Sequence, residues 1–458
     1  MARGRKAAQG LTPEEKLAHA LVPVEDQPYV LPSNWIWLKH NSILDISGGS
    51  QPSKSLFISE PAEGYVQLYQ TRDYGEHPVP VYIPNQYATK TAQDGDILLA
   101  RYGGSLGKVF RAHEGAYNVA LAKVIKIFPD IIDDDYLYQY YLSDFYQDFC
   151  IKAGSGRSAQ AGFNRDDMEK IPFPLPPLSE QRRIVDRIES IFAKLDEAKE
   201  KAQAVVDGFE LRNSAILHKA FTGELTAKWR EEHSLTLDDW ETDNLGDRFE
   251  IMSGVQKTPA RTPKDHPIPY LAVANVYRDS VDVSEIRYFE VADDELERLK
   301  LKNKDLLIVE GNGSGNEIGR CAMWRGELPV CIHQNHIIRM RKKDEKILEE
   351  YVLYYLNSDA GKKIMKIRAK TTAGLYNLSV GKIRTIPVPF AMLEEQIEIV
   401  RILDSLLAKE NAAKEAAESV LEQIDTMKKA VLARAFRGEL GTNDPAEESA
   451  VELLKTML

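Results

Sequence analysis

Three stretches of this 458-residue chain place reactive or ligand-binding residue types at close spacing. Cys331, His333 and His336 form a C-x-H-x-x-H cluster whose donors could hold zinc, but no second Cys/His pair stands at finger spacing and only the distant Cys321 remains. The alternation fits the end of a strand instead. GGSLGK (103–108) looks like a phosphate loop yet fails the G-x-x-x-x-G-K-[ST] pattern, because Tyr102 takes the place of the first glycine and Val109 that of the hydroxyl. GNGSGN (311–316) is not a G-x-G-x-x-G motif followed by a helix. Both read as tight turns that could face a phosphate backbone. No Ser/His/Asp set or spaced carboxylate pair stands out, so the chain reads as non-catalytic, with no metal or cofactor of its own.

Two other stretches suit recognition rather than catalysis. IKAGSGRSAQAGFNR (151–165) and KKIMKIRAKTTAGLYN (362–377) each follow an expected short helix. Lys152 and Arg157 in the first, and Lys366, Arg368 and Lys370 in the second, can neutralise phosphates. Ser155, Gln160, Asn164, Thr371, Thr372 and Asn377 carry the donors and acceptors that base edges require. A charge run is ordinarily a solvated face, but this one recurs at the same place in two halves of the chain. The glycine-rich turns are the second choice, with Arg101, Tyr102, Ser105 and Lys108 in one and Asn312, Ser314, Asn316 and Arg320 in the other.

The elements that must position these residues are written twice. Ile171–Leu225 and Ile386–Leu440 align without a gap at an offset of 215, with 23 identities in 55 positions. Each copy opens on a proline-rich lead, IPFPLPP or IPVPFAM, that cannot be helical. Each then becomes a long proline-free helix, expected to start near Ser179 and Glu394 and to stop at Gly223 and Gly438. Ile188, Ile191, Leu195, Ala198, Ala202, Val205, Phe209 and Ile216 form a heptad seam in the first, and Leu403, Leu406, Ala413, Ala417, Val420, Ile424, Met427 and Val431 in the second. The two seams are natural partners for each other, and Ala198, Ala202, Ala413 and Ala417 would allow close approach. Exposed faces with Lys194, Lys199 and Glu200, and their twins Lys409, Lys414 and Glu415, would be left for partner helices.

The globular parts repeat too. Trp35 answers Trp240, Ser47-Gly48 answers Ser253-Gly254, and GDILLARYGGSLGKVFRA (95–112) answers KDLLIVEGNGSGNEIGRCA (304–322) as strand, glycine-rich turn and strand. The short helices 138–149 and 349–364 correspond, with Tyr141 opposite Tyr355. The expected fold is therefore α+β, one domain plus helix written twice. Its parts are an N-terminal arm (1–30) read as loosely attached, domain 31–177, helix 178–230, domain 235–392, helix 393–440 and a tail (441–458). Three cysteines and no membrane-length apolar run suit a cytoplasmic chain. The net charge of −11 argues weakly against nucleic acid, since residues 31–170 hold 13 basic against 17 acidic and 235–385 hold 24 against 24.

PLPPLSEQRRIV, its second copy, the closing AFxGEL, GDILLARYGG, and the GFN or YNLS before each lead resemble the DNA specificity subunit of type I restriction-modification systems, over about residues 11–440. The second lead departs from the pattern with FAM in place of LPP. The resemblance implies two pseudo-symmetric target-recognition domains, each reading half of a bipartite site in double-stranded DNA, separated by two long antiparallel coiled-coil helices. It implies that those helices dock two methyltransferase subunits, with Gln181, Lys194, Gln396 and Lys409 as docking candidates, and that restriction/translocase subunits join them. S-adenosylmethionine, and ATP and Mg for restriction, would be bound by those partners. In line with that, the chain has no Asp/Asn-Pro-Pro-aromatic tetrapeptide. The alternative is a coiled-coil scaffold that carries two ligand-binding β-rich domains and does not bind DNA.

Overall fold

Each proline-rich lead is a short strand that can be bonded on one side only. Proline has no N–H, so Pro172–Leu175 pairs antiparallel with Ile36–Lys39 as a two-stranded ribbon, and Pro387–Phe390 pairs in the same way with Glu241–Asn244. The carbonyls on the other side are met by tyrosines one helical turn apart. Tyr136 Oη donates to Pro174 O at 2.8 Å and Tyr140 Oη to Pro172 O at 3.1 Å; Tyr351 and Tyr355 do the same to Pro389 (2.6 Å) and Pro387 (3.1 Å). The match is geometric: four residues of helix rise about 6 Å and two residues of strand about 6.6 Å. These bonds pair Tyr355 with Tyr140, not Tyr141, so the offset of 215 already holds across the short helices.

The computed structural model describes residues 12–155, 162–311, 318–369 and 377–455. They form two compact units, Met1–Lys201 with Ser419–Leu458, and Ala202–Glu418. In the first, a four-stranded sheet runs in the order Leu44–Gly48, Leu121–Lys126, Ile97–Ala100, Val109–Arg111, beside a second sheet ordered Tyr82–Pro84, Tyr65–Tyr69, Gly115–Tyr117, Thr91–Ala92. In the second, Phe249–Ser253, Ile337–Lys342, Leu306–Val309 and Cys321–Met323 repeat the first sheet, and Arg287–Glu290, Pro267–Leu271 and Ile332–His333 make a three-stranded one. The strands place Gly49, not Gly48, opposite Gly254. A Cβ at either would overlap backbone carbonyls, of Tyr117 and Asn118 or of His333 and Gln334.

Where one short helix was expected in each half there are two. Asp134–Leu142 and Asp144–Ser155 break at Ser143, and Glu349–Asn357 and Asp359–Ala369 break at Ser358. Each serine Oγ returns to the tyrosine carbonyl three residues back at 2.6 Å, which closes the first helix.

The long helices begin at Leu178 and Leu393, so FAM serves as well as LPP. They end before Gly223 and Gly438, both in the left-handed region at φ 79° and 74°. The second runs unbroken from Leu393 to Phe436, but the first is interrupted at Gly208 between Leu178–Asp207 and Phe209–Phe221. There Arg212 folds back, donating to Val205 O at 2.8 Å and to Glu410 at 2.7 Å, and a Cβ at Gly208 would occupy its place. Within each unit the two helices run antiparallel. Lys428 meets Asp196 at 2.6 Å in the first unit, while Ile188 shares a core with Leu432 and Phe436. In the second unit, Lys414 lies over the Phe209 ring at 4.7 Å and Arg212 meets Glu410.

The first seam faces inward along its length; in the second Leu403, Leu406, Ala417, Ile424 and Val431 turn inward as expected, while the other edge of the seam is shifted by one residue. Ala413, Val420 and Met427 are exposed, and Ala417, Leu421, Ile424 and Leu432 take the inner positions with Lys414 and Lys428. Lys414 therefore covers an aromatic ring rather than an outer face. Ala202 and Ala417 are both buried, as close approach requires.

The repeated sequence is not the folded unit. Phe221, at the end of the first helix, packs at 5.3 and 5.2 Å against Tyr351 and Tyr355 of the second unit. Phe436, at the end of the second, packs at 5.3 and 5.9 Å against Tyr136 and Tyr140 of the first. The described residues before Trp35 and after Gly438 join the first unit as well. Residues 12–30 are not a loose arm, because Val22 N bonds Trp37 O at 3.1 Å and Tyr29 Oη bonds Phe436 O at 2.9 Å. The tail is clamped by a two-pronged Arg183–Glu447 pair at 2.8 Å and by Ala450 N to Asn34 O at 3.0 Å.

Gln181 and Gln396 are buried, not offered to a partner. Gln181 accepts from Asp133 N (2.9 Å) and donates to Ile131 O (2.9 Å) and Pro176 O (3.0 Å); Gln396 makes the same three bonds with Leu348, Lys346 and Ala391. Each ties its long helix to the start of the tyrosine helix. Gln181→Leu is expected to destabilise the first unit by about 3 kcal/mol, since it strands three buried backbone groups. Gln396→Leu should do the same to the second. Chemical denaturation would measure it, and a loss under about 1 kcal/mol would mean that the loops find other partners.

Candidate nucleic-acid interface

In each half the described end of the returning stretch lies against the residue that follows the inner strand of the main sheet. In the first unit the strand Ile97–Ala100 runs into Arg101 and Tyr102, and Tyr102 pairs with Gly162 as an isolated antiparallel bridge. Any side chain at Gly162 would overlap the Tyr102 ring. In the second unit Leu378 N donates to Glu310 O at 2.7 Å, so the stretch that returns from the short helices lies against the end of Leu306–Val309. The glycine-rich turn after Tyr102 needs Gly103 and Gly107 at φ 67° and 88°, and it leads into the strand Val109–Arg111 rather than a helix. It therefore lacks the helix N-terminus on which phosphate loops rely.

At this sheet end Arg101 and Tyr102 are half-buried and mutually engaged, Nη2 to Oη at 2.5 Å with the guanidinium 4.9 Å over the ring. Ser105 is half-buried and Lys108 exposed. Asn377 is exposed, and its backbone N bonds Ala369 O at 3.0 Å while Lys382 Nζ holds its carbonyl at 2.9 Å. Asn164 is exposed but committed to structure: its Oδ1 accepts from Asp166 N and Asp167 N at 2.9 and 3.1 Å, capping the following turn.

Other candidates lie elsewhere. Arg320 turns toward the three-stranded sheet, with Nη2 on Val273 O at 3.0 Å and its guanidinium 5.9 Å from the Tyr277 ring. Lys366 and Arg368 are exposed on the helix Asp359–Ala369, and Arg368 lines a cleft with Ile364, Ile367 and Lys382. Lys152 lines the corresponding cleft of the first unit, about 950 Å³, among Tyr29, Phe149, Asp166 and Asp167, while Ser155 bonds back to Lys152 O at 3.0 Å. The helices that carry these basic residues pack against the turns after the inner strands, since a Cβ at Gly154 would touch Leu106 and one at Gly319 would overlap Met365. Arg157, Gln160, Asn312, Ser314, Asn316, Lys370, Thr371 and Thr372 lie outside the described residues.

Lys194 and Lys409 are exposed on the long helices. Cys331 and His333 are buried. Burial lowers the His333 pKa to about 4, with Nδ1 on Ile337 O at 2.8 Å, and raises the Cys331 thiol to about 12. His336 is exposed and its Nδ1 lies 3.2 Å from Glu310 Oε2. Sequence reasoning passed over Glu310 and weighed His336 only as a zinc donor, although an offset of 209, set by Asp96 and Asp305, puts Glu310 opposite Arg101.

No helix among the described residues is long and apolar enough to cross a membrane. A model of the family described as type I restriction modification DNA specificity domain matches residues 32–206 and again 237–423. Similar proteins include the type I restriction enzyme EcoKI specificity subunit of Escherichia coli K12, 27% identical over 442 residues and 91% of each chain. The type I restriction enzyme StySPI specificity subunit of Salmonella potsdam is 24% identical over 436 residues, again 91% of each chain. Among solved structures, the HsdS subunit from Thermoanaerobacter tengcongensis superposes with a TM-score of 0.65 at 19% identity, over 90% of this chain and 99% of that one.

Proposed function

The chain belongs to the family of type I restriction-modification DNA specificity domains, carrying that domain twice, and from this premise we propose how its parts divide the work. It is a DNA-binding specificity subunit with two recognition units, one for each half of a bipartite site. In this reading the chain performs no chemistry. It places an adenine methyltransferase, and restriction/translocase subunits when present, on double-stranded DNA, and those partners bind S-adenosylmethionine, ATP and Mg. The exposed faces with Lys194 and Lys409 would serve two methyltransferase subunits in the cytoplasm. The observation that carries the reading is the recurrence, in both units, of one framework in which the residues that follow the inner strand, Arg101-Tyr102 and Glu310, meet the described end of the returning stretch at Gly162 and Leu378.

The test is co-expression with a methyltransferase chain of a type I system, followed by sequencing of modified bases. One bipartite motif with a constant gap is the expected result. Modification at unrelated sequences, or no association with DNA at any salt, would favour the scaffold alternative. Replacing Lys366, Arg368 and Lys370 together should weaken binding by the assembled methyltransferase to all sequences alike. Each phosphate that is no longer neutralised should lower the slope of log affinity against log salt by about 0.9. An unchanged slope removes that helix end from the DNA surface.

A further inference from the structure

Arg101 and Glu310 occupy the same backbone position in the two units. Arg101 N donates to Ala120 O at 2.8 Å and Glu310 N to His336 O at 2.9 Å, each across to the turn that opens the neighbouring strand. On the carbonyl side the returning stretch closes in, as Gly162 against Arg101 and Tyr102 and as Leu378 N on Glu310 O. Each side chain therefore issues from a fixed point at the end of the main sheet, held by backbone bonds to the neighbouring strand's turn and by the described end of the returning stretch, where rigid placement favours reading.

The side chains are chemical opposites. Arg101 offers donors only, in a planar fork steadied by Tyr102, and Gly48 leaves room for it, since a Cβ there would overlap Nη1. Glu310 offers acceptors only, is 20% exposed, and is steadied by His336, itself 54% exposed. At positions that serve the framework, the two units keep both residue and bonds: Gln181 and Gln396, Tyr136 and Tyr351, Tyr140 and Tyr355. At this one the backbone is kept and the chemistry inverted. Structural duty would not require that, but two readers of different bases would.

We propose that Arg101 and Glu310 read base edges, one in each half-site. Arg101 pairs with a base that presents two acceptors in the major groove, guanine O6 and N7. Glu310 accepts from an exocyclic amine, cytosine N4 in the first place. The inference rests on the DNA-binding reading given above.

The test uses the assembled methyltransferase and duplexes in which each specified pair is replaced in turn. Arg101→Lys keeps the charge and loses the fork, so discrimination at one G·C pair of one half-site should fall by about 10- to 100-fold, with the other half unchanged. Glu310→Gln should lower discrimination to a similar extent at one pair of the opposite half. Should Arg101→Lys fail to assemble, Gly48→Ala, which displaces the guanidinium, is read in the same way; His336→Ala stands in for Glu310→Gln. Equal weakening on every duplex, or unaltered profiles, would overturn the proposal. Absence of any sequence preference in the unsubstituted complex would instead overturn the DNA-binding reading itself.

Discussion

Exchanging residues 239–385 for the same region of a relative is expected to change one half of the recognised site and leave the other half intact. Both sheets of the second unit, Glu310, and the stretch that returns to it lie between Trp240 and Ile386. The bonds to the retained parts that depend on the region's residue identity include Tyr351 and Tyr355 on the proline carbonyls, Trp240 Nε1 on Glu395 at 2.9 Å, Tyr354 Oη on Asp404, and the Asp239 and Asp359 carboxylates that accept from Thr236 and Ser214. The ribbon between Glu241–Asn244 and Pro387–Phe390 is bonded through backbone, which any sequence supplies. A donor that keeps the tyrosines at 351 and 355 and the tryptophan at 240, and that can meet Asp404, Ser214 and Thr236, should therefore graft without loss of fold. Mismatched pairs cost about 1–3 kcal/mol each, so affinity for the original half-site should fall roughly 1,000-fold or more. Modified-base sequencing of cells that carry the hybrid and its methyltransferase would show it. A change in both halves, or in neither, would sink the division of labour between the units.

The second large effect is expected at Arg230. Its guanidinium, 5% exposed, bonds Glu395 Oε1 at 2.5 Å and Thr226 Oγ1 at 3.0 Å, donates to Gly223 O, and lies 5.7 Å from the Trp240 ring. Glu395 is 1% exposed. Arg230→Ala would leave a buried carboxylate without its cation and should destabilise the second unit by about 3–5 kcal/mol, whereas replacing both partners by apolar residues should cost much less.

The first unit makes the contrast. Its equivalent, Glu180, is fully buried beside Thr442 (3.0 Å), but its nearest cation is the 38%-exposed Arg183, at 3.5 Å, which also holds Glu447. Desolvation raises the Glu180 pKa. A carboxyl whose folded-state pKa is raised contributes stability below its unfolded value and loses it as pH rises through the folded value. Glu180→Gln should therefore be neutral or stabilising near pH 7 and should remove part of the decline above the ordinary glutamate range. Urea denaturation from about pH 4 to 8 would measure it. A large loss of stability in Glu180→Gln at neutral pH, equal to that of Arg230→Ala, would refute the asymmetry.

What the sequence determined by itself is whatever depends on a residue's own covalent geometry or on short-range period. Prolines without N–H made the leads into one-sided strands, and a proline-free run made long helices that start within one residue of the expected places. Gly223 and Gly438 stopped them because glycine alone enters the left-handed region without strain. The duplication was legible because an offset of 215 needs no structure to count. Tertiary structure decided everything that depends on what a residue meets far along the chain. Ala413, Val420 and Met427 share the expected period with the inner residues yet face outward, because the rotation of a helix is set by its partner and not by its own repeat. Gln181 and Gln396 read as surface polar residues until loops from some 50 residues away supply two backbone partners each. The ends of both long helices pack in units other than the ones they follow, and Arg101 and Glu310 become equivalent only when sheet hydrogen bonds align them. A chain's local chemistry chooses its elements; the hydrogen bonds and apolar surface that those elements must bury against one another choose which side chains remain for DNA.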